Sequence, residues 1–123
     1  MAKSILVIDD DPAVHDILTI HLKHLGYAVF NAPDGARGVE EAKRVRPDMI
    51  ILDFEMPGDC GETVFDNLRK HPAMTEIPVV FLSSLRLSNQ VGRVPMSRNV
   101  RFLKKPIEVK ELLAVIESFV GKA

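Results

Sequence analysis

Residues 5–8, Ile-Leu-Val-Ile, are apolar at every position and run straight into three carboxylates, Asp9-Asp10-Asp11. A short unbroken apolar run with a turn residue such as Pro12 just beyond it predicts a strand buried on both faces, as in a parallel sheet. Clustered carboxylates raise one another's pKa, and burying even one of them is costly. A bound cation is the simplest device that holds such a cluster together. A second apolar run, Met49-Ile50-Ile51-Leu52, also ends in a carboxylate, Asp53. Two strands delivering acids to one sheet edge make an oxygen-rich site suited to Mg²⁺, with Mn²⁺ as the alternative ion.

The rest of the chain alternates strand and helix patterns. Strands are predicted at Ser4 to Ile8, Tyr27 to Phe30, Asp48 to Asp53, Val79 to Leu82 and Val100 to Leu103. Between them, Val14, Ile17, Leu18, Leu22 and Leu25 recur at helical spacing, closed by Gly26. Asn31 to Gly35 read as a turn. A second helix, with Ala36, Val39 and Ala42 inward, runs to about Arg46 before Pro47. Val64, Phe65 and Leu68 mark a third helix, which Pro72 terminates. Leu112, Leu113, Ile116, Phe119 and Val120 form the inner stripe of a closing helix. The candidate fourth helix, between Ser84 and Asn99, is weak. Only Leu87, Val91 and Val94 keep its spacing, and Gly92 and Pro95 interrupt it, so it is expected to stop before Pro95.

Five βα units with right-handed crossovers predict an α/β fold: a five-stranded parallel sheet with helices on both faces, flavodoxin-like and doubly wound. Ligands of such sheets bind at the carboxyl ends of the strands, where the strand order reverses. Asp9, Asp10 and Asp53 are expected there.

Composition narrows the classes. A chain of 123 residues reads as one domain spanning residues 1–123. The formal net charge of −1 gives no global argument for nucleic acid or an anionic membrane. No apolar stretch approaches the ~20 residues a membrane span needs. The N-terminus does not read as a signal peptide, and the single cysteine, Cys60, excludes an intrachain disulfide. A cytoplasmic, soluble domain is expected.

Ser83 and Ser84 follow the fourth strand, and Lys104, Lys105 and Pro106 follow the fifth. A hydroxyl and an ammonium converging on carboxylates and a metal suit a tetrahedral phosphoryl group. Asp53 is the candidate nucleophile, because aspartyl phosphates are an established covalent route for phosphoryl transfer. Mg²⁺ would neutralise charge on the transferring group, Lys105 would add a second positive contact, and Ser83 would donate a hydrogen bond to a phosphoryl oxygen.

Taken together, Val7-Ile8-Asp9-Asp10, Leu52-Asp53-Phe54-Glu55-Met56-Pro57, Ser83-Ser84 and Lys105-Pro106 resemble the motifs of the response-regulator receiver domains of two-component signalling, over essentially the whole chain. The resemblance implies Asp53 as phosphoacceptor and Asp10 as direct Mg²⁺ ligand. It also implies that Asp9 holds a metal-bound water, that Glu55 offers its backbone carbonyl, and that Asp53 shares the metal. Ser83 and Phe102 then stand where the family has its switch residues, Lys105 is the phosphate-pairing lysine, and the bond to Pro106 is expected to be cis. Asp11, one past the usual acidic pair, is expected to cap the first helix. The implied phosphodonor is a histidine kinase or histidine phosphotransfer protein docking around the first helix near His15. Such a domain assists its own phosphorylation and is not an enzyme with a separate substrate.

Glu55 lies two residues past the acceptor, where side chains in the family tune acyl-phosphate hydrolysis. Its carboxylate could repel a phosphodonor or position water. Residues 77–107 carry six basic side chains (Arg86, Arg93, Arg98, Arg101, Lys104 and Lys105) and no acidic one. This face is either merely solvated or docks an acidic partner or a twin copy, giving a homodimer through the fourth helix, fifth strand and fifth helix. His21 and His24 read as solvated or at the core edge, and Cys60 as packing. The alternative function is a phosphorylation-independent interaction module of the same fold. A flavodoxin-like cofactor binder is disfavoured, since three aspartates stand where a phosphate-cradling loop would be. The chain suits either a stand-alone regulator or a receiver from a hybrid kinase or transcription factor. Its output has no expectation from sequence.

Overall fold

The structure, a computed structural model, describes residues 2–56, 58–84 and 99–122. Five parallel strands form the main sheet: β1 (Ser4–Ile8), β2 (Ala28–Ala32), β3 (Met49–Asp53), β6 (Val79–Ser83) and β7 (Val100–Lys104), in the order β2-β1-β3-β6-β7. Two-residue strands β4 (Glu55–Met56) and β5 (Asp59–Cys60) make a small antiparallel hairpin after β3. The described helices are α1 (Pro12–His24), α2 (Gly35–Val45), α3 (Gly61–Arg69) and α4 (Val109–Val120).

Side chains alternate across the pleat, so each central strand feeds both faces. Leu6, Ile8, Ile50, Leu52 and Phe81 meet α2 and α3 through Ala42, Val64, Phe65 and Leu68. Ile5, Val7, Met49, Ile51 and Leu82 meet α1 and α4 through Leu18, Leu22, Leu112 and Ile116. This two-sided burial is what the unbroken apolar runs demanded. Each fully buried aliphatic side chain contributes about 1.5–3 kcal/mol.

Local signals fix the helix ends. The Asp11 side chain accepts from Ala13 N–H at 2.9 Å and caps α1, as expected. At the other end Gly26 adopts φ 97°. Its N–H reaches Lys23 O (3.0 Å) while Tyr27 N–H reaches Leu22 O (3.0 Å), a Schellman closure. Arg69 joins α3 to β6, donating to Met74 O (2.9 Å) and Ile77 O (2.8 Å).

Several expectations need correction. β2 begins at Ala28 and runs on through Asn31 and Ala32, where the residue types suggest a turn. Parallel pairing of Asn31 with Val7 and of Ala32 with Ile8 overrides the local turn preference. Ile17 and Leu25, expected inward, are each 48% exposed. The inward stripe of α1 is half-buried Val14 with buried Leu18 and Leu22, which leaves Ile17 on the flank and Leu25 at the cap. In α2, Ala36 is exposed and Gly38 faces inward instead. A Cβ on Gly38 would stand 2.5 Å from Ile8 Cδ1, so the helix rests on β1 without a side chain between them. Pro72 does not end α3, which stops at Arg69; it opens a 3₁₀ turn, Pro72–Met74. The candidate fourth helix, with Arg86, Arg93 and Arg98, lies outside the described residues. Among the described residues, no helix is long and apolar enough to cross a membrane.

Candidate functional site

Strands β1 and β3 are neighbours, while the chain leaves β1 for β2 on one side and returns to β3 on the other. The strand order therefore reverses between them, and a crevice opens at their carboxyl ends. Asp9 is the first residue past β1, Asp53 the last of β3, Ser83 the last of β6, and Lys105 the first past β7. The sheet thus brings four separate sequence segments to one edge. Asp9 and Asp53 are buried, at 1% and 2% exposure, and Asp10 is exposed. Carboxylate oxygens of the three lie within 4.8 Å of one another.

Among the described residues, one ammonium faces this cluster. Lys105 Nζ stands 3.3 Å from Asp53 Oδ1 and 3.5 Å from Asp9 Oδ2. Burial works against its charge, but Asp9 and then Asp53 outweigh that and hold the ammonium above the usual lysine range. Burial pushes Asp53 up to about 6, helped by the Asp9 charge; the Glu55 N–H and Lys105 pull the other way without prevailing. Lys104, the preceding residue, is exposed. The peptide bond between Lys105 and Pro106 is cis, as the resemblance implied.

The donor set fits a hard divalent cation. Three carboxylates face one ammonium, and Asp9 Oδ2 is buried with no hydrogen-bond partner among the described residues. A buried carboxylate oxygen left without a hydrogen bond is rare, and a metal-bound water would satisfy it.

The loops carrying these acids are fixed from outside the cluster. Asp9 Oδ1 accepts from Asp11 N–H (2.9 Å), and Asp53 Oδ1 accepts from Glu55 N–H (3.1 Å). Gly61 N–H donates to Phe54 O (2.9 Å), and a Cβ on Gly61 would come 2.7 Å from Phe54 Cα. The start of α3 can close on the residue after Asp53 only because Gly61 has no side chain.

Two contacts were not anticipated. His15 on α1 lies with Nε2 2.6 Å from Asp9 O and Nδ1 2.6 Å from Asn31 Oδ1. A carbonyl only accepts, so in the neutral ring Nε2–H donates to Asp9 and Nδ1 can only accept, from the Asn31 amide turned to present its NH₂. The imidazole ties the acidic loop to β2. Helical spacing could place His15 near that loop, but only the β2-β1 pairing brings Asn31 beside it. His15→Ala is expected to cost about 1–2 kcal/mol in urea unfolding, since it strands a partly buried carbonyl. A cost below about 0.3 kcal/mol would show the contact to be incidental.

The second is the Glu55 side chain. Its Oε2 accepts from Ser83 Oγ (2.5 Å), and its Oε1 accepts from both Ser84 N–H and Ser84 Oγ (2.9 Å each). Phe102 stacks on Phe81 with centroids 4.8 Å apart and touches Phe54, 5.6 Å away, so it packs inward beside the residue that follows Asp53. Cys60 precedes α3, with Sγ 3.4 Å from Glu62 Oε1. His21 and His24 are exposed, and neither joins a metal-type cluster among the described residues.

Comparison with known proteins agrees with this geometry. The response regulator receiver domain family model matches residues 5–117. The DNA-binding dual master transcriptional regulator RpaA of Synechocystis is 36% identical over 119 residues, which are 96% of this chain and 49% of that protein. The chain thus spans about half the length of this relative. Among solved structures, the chemotaxis protein CheY4 of Vibrio cholerae superposes with a TM-score of 0.91 over 98% of this chain and 100% of that one; at 22% identity this shows the fold alone. The receiver domain of a sensor histidine kinase from Pseudomonas aeruginosa has a magnesium ion coordinated in its active site cleft. It is 25% identical with a TM-score of 0.86, over 99% of this chain and 100% of that one. With a family match across nearly the whole sheet and the acids gathered at its switch point, this chain belongs to the response regulator receiver domains, the signalling switches of two-component systems.

Proposed function

We propose that residues 1–123 act as one receiver domain that takes a phosphoryl group on Asp53 from a phosphohistidine. The observation that carries this reading is the pairing of buried Asp53 with Asp9 and Lys105 at the strand-order reversal. In the transfer, an Asp53 carboxylate oxygen forms a bond to phosphorus as the phosphorus–nitrogen bond to the donor imidazole breaks. The electron pair leaves with that nitrogen. Lys105, 3.3 Å from Asp53 Oδ1, would pair with the phosphoryl oxygens that arrive there.

Asp10, Asp53 and the Glu55 backbone carbonyl would hold Mg²⁺, or Mn²⁺ in its place, and Asp9 would hold one of its waters. When bound, the ion neutralises charge on the transferring group. Ser83 then turns to the phosphoryl group, and Phe102 repacks against Phe54 and Phe81. The domain assists its own phosphorylation and dephosphorylation and turns over no separate substrate.

The donor, a histidine kinase or histidine phosphotransfer protein in the cytoplasm, would dock over α1, where Ile17 and Ile20 are 48% and 68% exposed. Of the basic face proposed for a downstream partner or a twin copy, Arg101 and Lys104 are exposed.

The test is incubation with Mg²⁺ and acetyl phosphate or phosphoramidate, followed by intact mass beside Asp53→Asn. One phosphoryl adduct on the unsubstituted protein alone is expected. No adduct from either donor would overturn the reading in favour of a phosphorylation-independent interaction module.

A further inference from the structure

Ser83 is fully buried, and its Oγ lies 2.5 Å from Glu55 Oε2. A serine hydroxyl carries a single hydrogen, and here it is donated to the carboxylate. That hydrogen cannot be given to a carboxylate and to a phosphoryl oxygen at once. The other Glu55 oxygen accepts from Ser84 N–H and Ser84 Oγ, so both sides of the carboxylate are committed to the tip of β6. Glu55 is itself held in place. It pairs with Cys60 across the β4–β5 hairpin, and its N–H donates to Asp53 Oδ1 at 3.1 Å. One residue thus touches the acceptor through its backbone and the switch serine through its side chain.

We propose that Glu55 is a positioning residue that latches Ser83 and Ser84 in the unphosphorylated state, so that phosphorylation must transfer the Ser83 hydrogen bond from the Glu55 carboxylate to the phosphoryl group. This rests on the phosphoacceptor reading of Asp53 and deepens it. The latch lowers the apparent affinity of the site for any tetrahedral anion on Asp53, because the two acceptors compete. Hydrogen bonds to a carboxylate are roughly twice as strong as neutral ones, so releasing this one should be felt clearly.

The latch can be separated from simple repulsion between Glu55 and an incoming anion. Beryllofluoride with Mg²⁺, titrated by ¹H–¹⁵N NMR, serves as the probe. Glu55→Ala keeps the backbone carbonyl proposed for the metal, and it is expected to tighten beryllofluoride binding about tenfold. Glu55→Gln, which keeps one neutral acceptor, is expected to fall between it and the unsubstituted protein. Unliganded Glu55→Ala should also shift the Ser83 and Ser84 amide resonances toward their beryllofluoride-bound positions. In a Ser83→Ala background the gain from Glu55→Ala should shrink to twofold or less. A gain that persists in that background would assign Glu55 to charge repulsion and overturn the latch. An unchanged affinity in folded Glu55→Ala, beside normal binding by the unsubstituted protein, would also overturn it. Failure of the unsubstituted protein to bind beryllofluoride at all would remove the phosphoacceptor reading, and the latch with it.

Discussion

Asp53→Asn is expected to make the protein more stable in metal-free buffer at neutral pH, by about 1–2 kcal/mol in urea unfolding. Burial, and secondly the Asp9 charge, lift Asp53 from 3.8 to about 6. Each tenfold change in proton affinity is worth about 1.4 kcal/mol, and solvent at the mouth of the crevice screens part of it. The folded protein holds a proton that the unfolded chain releases near pH 4. Between about pH 4 and 6 the folded state therefore binds more protons, and this group's contribution to stability falls as pH rises. Above about 6 the penalty is complete. The advantage of Asp53→Asn should accordingly be present at pH 7.5 and vanish at pH 4. Mg²⁺ should stabilise the unsubstituted protein and narrow the gap, because the ion site proposed at the acidic cluster exists in the folded state and not in the unfolded chain. Equal stability of the two proteins across this pH range would show that Asp53 is solvated enough to carry its charge freely.

Lys105→Met is expected to be the most damaging single change at the site, costing about 2–4 kcal/mol at pH 7 without metal. Methionine keeps much of the apolar stem, so the loss is chiefly that of the ammonium facing Asp9 and Asp53 at 3.5 and 3.3 Å. Two buried carboxylates would then stand without a cation among the described residues. Removing one member of a buried charge group costs more than removing the group, so the double variant Lys105→Met/Asp53→Asn should recover most of the loss. Lowering the pH towards 5 should recover part of it, by protonating the carboxylate that burial already holds near 6. A cost under about 0.5 kcal/mol, or strict additivity in the double variant, would show that Lys105 is not the cluster's counter-charge.

Both results bear on the same trade-off. A site that gathers charge for chemistry is a place where the fold is less stable than it could be, and amide or apolar replacements expose the difference.

Much of this arrangement is legible in the residues alone. The runs at residues 5–8 and 49–52 are apolar at every position, and only a strand covered on both faces uses such a run fully. The acids ending them, Asp9 and Asp53, then have to lie at the sheet edge, and Ser83 and Lys105 join them there at the ends of the two further parallel strands. Asp11 as a cap and Gly26 as a helix stop follow from local backbone chemistry, which involves only near neighbours in sequence. Pairing across the sheet is beyond that reach. Asn31 and Ala32 lie in a stretch of turn chemistry, yet they belong to β2 because β1 supplies their hydrogen bonds. Ala36 is exposed and Gly38 faces inward, where Ile8 leaves no room for a Cβ. The destinations of the Glu55 carboxylate and the His15 ring depend on partners 28 and 16 residues away, at Ser83 and Asn31. Sequence alone determined which residues reach the sheet edge, because burial of whole apolar runs fixes strand ends. Tertiary structure decided which of those residues hold one another, because a hydrogen bond requires two groups within about 3 Å, and only the folded chain sets that distance.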